Sequence, residues 1–157
     1  MQTLAPAERE AVLRVVAANR TRPGALIEIL HGVQAELGFI PPAAVPVLAQ
    51  ELNLSRAEVH GVVTFYHDFR REPAGRHVVK LCRAESCQAM GCERLAGHLE
   101  ETLGIPFGET TGDGAVTLEA VYCLGLCAQS PAAMIDGRVV AWLDEGKLDR
   151  VLAEAVR

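Results

Sequence analysis

The sequence predicts an α+β protein in two parts, a small helical bundle over residues 1–72 followed by a mixed α/β layer over residues 76–157. Three observations predict it. Before residue 70 the apolar residues recur at helical spacing, and the connections between runs are short, as in a bundle. Glu72-Pro73-Ala74-Gly75 is a turn-rich break. Beyond it alternating runs such as His77-Val-Val-Lys-Leu-Cys82 take over, which is the period of a strand.

Each helix of the first part carries its own boundaries. Pro6 opens the first, where a proline loses no needed hydrogen bond, and Glu8 and Glu10 lie near the positive end of its dipole. Val12, Leu13, Val15 and Val16 supply its apolar face, and it ends near Asn19-Arg20. After Pro23-Gly24 a second helix is expected over 25–37, with Leu26, Ile27, Leu30, Val33 and Leu37 in register and Gly38 as its stop. Phe39-Ile40-Pro41-Pro42 forms a rigid turn into a third helix over about 42–52, ended by Asn53, with Pro46 in its first turn. Ser55-Arg-Ala-Glu58 is a capping box for a fourth helix running to about Tyr66, with Val59, Val62, Val63 and Phe65 as packing positions.

In the second part strands are expected over 77–82 and 115–123, with one helix from Cys87 to about Leu103 between them. Ala132 to Ile135 and Arg138 to Trp142 flank Asp136-Gly137, a strong hairpin signal, and a last helix covers about 145–156. The order β-α-β-β-β-α is that of a thioredoxin-like layer, in which the first crossover is right-handed and joins parallel strands.

Four of the five cysteines fall in two short pairs, Cys82-Arg-Ala-Glu-Ser-Cys87 and Cys123-Leu-Gly-Leu-Cys127. Thiolates favour zinc, copper(I) and iron–sulfur clusters. Structural zinc commonly uses tighter C-x2-C knuckles. The wider gaps here suit a larger object with two metal centres, a [2Fe–2S] cluster held by four thiolates, two per iron. In the expected fold both pairs lie at the carboxyl ends of parallel strands, where such layers hold ligands. Cys92 is left over; on a single helix it sits about 140° round from Cys87, and a small buried thiol is the plainer reading of it. A zinc-stabilised interaction domain and a thiol oxidoreductase are the competing classes. The second needs a C-x-x-C motif, and the gap here is four.

Composition removes other classes. The net charge is −5, half the residues are hydrophobic, and aromatics are few. A nucleic-acid binder would show a basic patch or stacking aromatics, and the local cluster Arg70-Arg71 with Arg76-His77 suits a solvated linker or partner contact better. No run of about 20 apolar residues is present to span a bilayer, and no secretion signal precedes the first helix, so a cytoplasmic protein without direct membrane insertion is expected. His31, His60, His67, His77 and His98 are scattered, with none beside the cysteines as a Rieske centre requires.

Leu37-Gly-Phe-Ile-Pro41, Val59-His-Gly-Val-Val-Thr-Phe-Tyr-His67, the two cysteine pairs with Gly-X-Cys127, and Ser130-Pro131-Ala together resemble a known family. It is the thioredoxin-like [2Fe–2S] subunit of NADH-linked modules, found in respiratory NADH:quinone oxidoreductase, soluble NAD-dependent formate dehydrogenase and NAD(P)-linked hydrogenases. The resemblance runs from about residue 8 to 157. It implies that Cys82, Cys87, Cys123 and Cys127 ligate the cluster. FMN and NAD are then expected on a partner, the FMN/NADH-binding subunit, against which the helical part packs. No Ser-His-Asp arrangement, phosphate-cradling glycine loop or flavin motif is visible in the sequence, so the chain alone is expected to have no catalytic residues. The loop Arg83-Ala-Glu-Ser86 with Gln88-Ala-Met-Gly91 resembles the formate dehydrogenase gamma subunit more than the Thr-rich respiratory loop, which implies a large molybdenum or tungsten catalytic subunit as second partner. Cys92 stands where the family often has glycine.

Three finer readings stay open. Gly91 and Gly125 either let backbone approach sulfur or serve as turn glycines. Arg83 either raises the cluster potential or is a loop charge with a salt-bridge partner. Ser130-Pro131 resembles the proline before the third strand of thioredoxin-like folds, a bond that is often cis.

Overall fold

A computed structural model describes residues 3–155. The chain divides into two compact units, one up to Pro73 and one from Ala74 onward.

The first unit holds four helices, α1 (Pro6–Asn19), α2 (Ala25–Leu37), α3 (Ala44–Leu52) and α4 (Arg56–Phe65). Glu8 reaches back to the Ala5 N–H at 3.0 Å and so closes the start of α1. Gly38, at φ +82°, ends α2. Helix α3 begins two residues later than the sequence suggests, because Ala44 and Val45 donate to the carbonyls of Pro41 and Pro42 and keep 41–43 in a turn. Asn53 ends α3 in the left-handed conformation. The capping box of α4 is complete: Glu58 N–H donates to Ser55 Oγ at 3.1 Å, and Ser55 N–H to Glu58 Oε2 at 2.7 Å.

Val12, Val16, Ile29, Leu30, Val33, Ile40, Leu48, Val59 and Val63 form the buried centre of this unit. Helices α1 and α2 cross closely at Gly32, where an added Cβ would stand 2.6 Å from Val15 Cγ1. Gln34 ties the trailing segment back: its amide donates to Asp68 O at 2.8 Å and accepts from Arg70 N–H at 2.7 Å. Phe65 is not a packing position but 72% exposed. It lies six residues past Val59, about 240° round the helix, off the stripe that Val59 and Val63 bury.

The second unit is a thioredoxin-like layer. Its strands β1 (His77–Cys82), β2 (Val116–Val121), β3 (Ala133–Ile135) and β4 (Arg138–Val140) are ordered β2-β1-β3-β4. β1 and β2 run parallel, with Cys82 beside Val121; β3 is antiparallel to β1, and β4 to β3. Asp136 and Gly137, both at positive φ, make the hairpin turn. The Asp136 carboxylate accepts from Val78 N–H and meets His77 Nδ1, each at 2.8 Å.

Two boundaries differ from expectation for one reason. β2 stops at Val121 and β4 at Val140, because Cys123 (φ +113°) and Trp142 (φ +47°) leave the extended region. The expected helix over 87–103 is in fact two, α5 (Glu85–Ala89) and α6 (Cys92–Leu103). Gly91, at φ +88° with open space around it, makes the break and is therefore a turn glycine. Cys92 consequently opens a new helix rather than lying round from Cys87 on the same one.

The last helix, α7 (Glu145–Ala155), reaches the edge of the described residues; the expected end at 156 lies outside them. Val79, Leu81, Leu118 and Ile135 of the sheet pack with Leu95 and Leu99 of α6 and Leu148 and Leu152 of α7. Alternate residues point the other way, and there Lys80 pairs with Glu119 at 3.4 Å. No helix among the described residues is long and apolar enough to cross a membrane.

Candidate metal centre

The ends of β1 and β2 are hydrogen-bonded neighbours, and both cysteine pairs begin there. Cys82 is the last residue of β1, held by its N–H to Ala132 O at 3.0 Å. Cys87 sits within α5, Cys123 lies two residues past β2, and Cys127 opens a short 3-10 turn, Cys127–Gln129. None of the five cysteines forms a disulfide. Among the described residues no group of three or more His, Cys, Asp and Glu side chains is drawn together as a single-ion site. The sulfurs stand instead as two pairs.

The pairs differ in surroundings. Cys82 and Cys87 are buried, Cys123 and Cys127 exposed. Burial pushes the Cys82 thiol up, but N–H groups of Ala84, Cys123 and Leu124 and the Cys87 thiol outweigh it and hold Cys82 below the ordinary thiol value. Cys87, the donor of that pair, is pushed up to about 11 by burial and by its bond to Cys82. In the second pair Cys123 Sγ and Cys127 Sγ are 3.8 Å apart, and that hydrogen bond raises the Cys127 thiol. A tetrahedral thiolate centre with metal–sulfur bonds of about 2.3 Å places its sulfurs about 3.8 Å apart. The Cys123/Cys127 pair therefore has the spacing for one metal, Cys82 and Cys87 are already hydrogen-bonded to each other, and N–H donors point at sulfur. Gly125 is one of them: at φ +75° it turns its N–H to Cys123 Sγ at 3.4 Å, the close approach left open by the sequence.

Two hydroxyls tie the pairs together. Ser86 Oγ lies 3.0 Å from Cys127 O, Ser130 Oγ 2.7 Å from the same oxygen, and the two hydroxyls are 2.8 Å apart. The helix carrying Cys87 is thus bound to the turn carrying Cys127. Sequence reasoning missed this role for Ser86 and Ser130, because neither lies in a spacing pattern; the adjacent Pro131 was the only signal. The Ser130–Pro131 bond is cis. α5 is only five residues long, so individual N–H groups, rather than a helix dipole, supply the positive field.

Cys92 is fully buried and packs against Cys82 and Cys87. Arg83 has a partner, Glu93, across the α5–α6 break. The histidines that have such contacts lie elsewhere: His31 meets Phe69 at a tilt, His77 pairs with Asp136, and His98 with Asp149.

Residues 12–156 match the family described as thioredoxin-like [2Fe-2S] ferredoxin. The chain belongs to that family. Its cofactor is accordingly a [2Fe–2S] cluster, and the donor set fits one, with four thiols in two pairs and amides directed at them. This ferredoxin is 42% identical over 112 residues to the E-type subunit of NADH-quinone oxidoreductase from Pseudomonas aeruginosa strain PAO1, covering 71% of the chain and 68% of the relative. It is 40% identical to an E-type subunit of NADH-quinone oxidoreductase from Rhizobium meliloti strain 1021, covering 92% of the chain and 86% of the relative. Among solved structures it is similar to an NAD+-reducing [NiFe]-hydrogenase in the air-oxidized state, with a TM-score of 0.71 and 29% identity. That match covers 87% of this chain but only 23% of the hydrogenase chain. The protein is thus an electron-transfer [2Fe–2S] ferredoxin related to subunits of NADH-linked oxidoreductases.

Proposed function

We propose that this chain is the electron-transfer subunit of an NADH-linked complex, with Cys82, Cys87, Cys123 and Cys127 holding the cluster, and that the complex is a soluble NAD-dependent formate dehydrogenase. The observation that carries the ligand set is the meeting of both pairs at the ends of adjacent parallel strands, with the amides of Cys123 and Leu124 reaching the first pair at Cys82. Bound there, the cluster supplies one-electron chemistry. The protein's share is to hold four thiolates, offset their charge with N–H dipoles, and leave one pair of sulfurs at the surface. Cys82 and Cys87 anchor the buried end; Cys123 and Cys127 present the end open to a partner.

That partner is the FMN/NADH-binding subunit, so that flavin and NAD reside on it and this chain exchanges electrons with the flavin. The formate dehydrogenase assignment is supported by the loop around the first pair, Arg83-Ala-Glu-Ser86 and Gln88-Ala-Met-Gly91, and brings a molybdenum or tungsten catalytic subunit as second partner. A second reading, the corresponding component of a respiratory NADH:quinone oxidoreductase, is favoured by the names of the relatives at 42% and 40% identity. In both the chain is cytoplasmic. Anaerobic co-purification from the native host, with mass spectrometry and metal analysis, decides. A soluble complex with a flavin subunit and a molybdenum or tungsten subunit is expected. Membrane-arm subunits without either metal would assign the chain to the respiratory complex. Stoichiometric zinc in a colourless protein would refute the ligand assignment to a cluster.

A further inference from the structure

Arg83 directly follows a buried cysteine, yet its charge does not stand alone. Its guanidinium holds the Glu93 carboxylate with both arms, Nε to Oε1 at 3.1 Å and Nη2 to Oε2 at 2.5 Å. The same group lies over the Phe107 ring, 5.2 Å from its centroid. Its backbone is fixed on two sides: Arg83 N–H donates to Val121 O at 2.8 Å, and Gln88 Nε2 donates to Arg83 O at 3.1 Å. Arg83 is therefore a clamped cation rather than a free loop charge. Glu93 also meets the Cys92 thiol, Sγ to Oε1 at 3.9 Å, and Cys92 packs against Cys82 and Cys87. One buried side chain separates the carboxylate from the first pair of sulfurs.

Reduction of a four-thiolate [2Fe–2S] centre adds a negative charge, so fixed charge nearby biases it, positive charge favouring the reduced form. A bidentate arginine–carboxylate pair has rigid geometry, but at distance its two charges nearly cancel. Removing one member leaves the other uncompensated beside the site.

We propose that the Arg83–Glu93 pair tunes the reduction potential, Glu93 cancelling a positive charge that Arg83 otherwise places beside the Cys82/Cys87 end of the cluster. Both are positioning residues; neither is a ligand. The inference rests on the four-cysteine assignment. A pair that only pins α6 to the end of β1 would lower stability when broken and leave no sign in the potential.

The test is an EPR-monitored redox titration of the cluster-loaded full chain as wild type, Glu93→Gln, Arg83→Gln and the double variant. At a fixed ambient potential near the midpoint, Glu93→Gln is expected to raise the reduced-to-oxidised ratio by about threefold or more, and Arg83→Gln to lower it. The double variant returns close to wild type. Should Glu93→Gln load poorly, Glu93→Ser removes the same charge, and Glu93→Asp, which keeps it, is expected to stay near wild type. Absent shifts, shifts of one sign for both single changes, or a Glu93→Asp shift as large as that of Glu93→Gln would each overturn the proposal. A wild-type chain that takes up no [2Fe–2S] cluster would overturn the ligand assignment instead.

Discussion

The two units are closed by different chemistry. In the first, α1 to α4 meet through an aliphatic centre of valine, leucine and isoleucine, with polar contacts such as the Arg14–Glu36 pair and the Gln34 clamp at its margin. In the second, a comparable aliphatic centre under α6 and α7 sits beside a separate cluster of three buried thiols, Cys82, Cys87 and Cys92. Free cysteines are ordinarily stable in such places, but here amide donors hold one of them toward its charged form. The contrast shows that the helical unit closes on aliphatic packing, whereas the sheet unit adds a cluster of thiols in which amide donors favour the charged form of Cys82 while burial opposes it in Cys87 and Cys92.

Cys82→Ser strikes the sheet unit alone. It is expected to abolish most of the iron content and the EPR signal, while circular dichroism still shows the helices of the first unit. Unchanged iron and an unchanged spectrum would refute Cys82 as a ligand. The reverse experiment is Gly32→Ala. The new methyl meets Val15 Cγ1 at 2.6 Å, and overpacking of that kind costs about 1–3 kcal/mol. Alanine's better helix propensity offsets about 1 kcal/mol of this. A net loss of about 1 kcal/mol in denaturant unfolding is expected, with the cluster absorption of the folded protein unaltered; a stabilised variant would show that α1 and α2 do not cross this closely.

The smallest effect lies between α6 and α7. His98 Nε2 and Asp149 Oδ1 are 2.6 Å apart, and the bond to Asp149 raises the histidine pKa, with Glu145 and Glu101 adding to it. A raised folded value means the pair stabilises fully below the unfolded pKa of about 6.5 and loses that contribution as pH climbs through the folded value. His98→Gln is expected to cost about 0.5 kcal/mol or less near pH 5.5, and nothing near pH 9. Thermal melts at both pH values check it, and an equal cost at both would mean that packing, not charge, is what the ring contributes.

Much of this was legible because the signals were local. The capping box at Ser55, the Asp136-Gly137 turn and the Gly38 stop each act within a few residues, and each stands where the sequence places it. The break at Gly91 was not legible. Periodicity runs through it, since Cys92, Leu95, Ala96 and Leu99 continue an apolar stripe of their own. Phe65 misleads for the opposite reason: a bulky apolar residue reads as core, yet its angle on α4 sets it off the buried stripe. At the candidate metal centre the two cysteine pairs are visible by spacing. The amides of Ala84 and Leu124, the Ser86–Ser130 contact and the Glu93 partner of Arg83 are not, because each depends on segments brought together only by the fold.

The contact among Ser86, Ser130 and the Cys127 carbonyl has a consequence for proton counting. Three oxygens lie mutually within hydrogen-bonding distance, but the two hydroxyls own only two hydrogens, so one edge of the triangle is always empty. Leaving the longest edge empty gives a relay in which Ser86 donates to Ser130 at 2.8 Å and Ser130 to Cys127 O at 2.7 Å. The two serines are then unequal links. Ser130 receives and passes on, while Ser86 only begins the chain. Removing Ser86 leaves the carbonyl still served, and removing Ser130 obliges Ser86 to reach it alone over 3.0 Å. The turn that carries Cys127 is held first by a residue from its own strand connection and only second by the helix across from it.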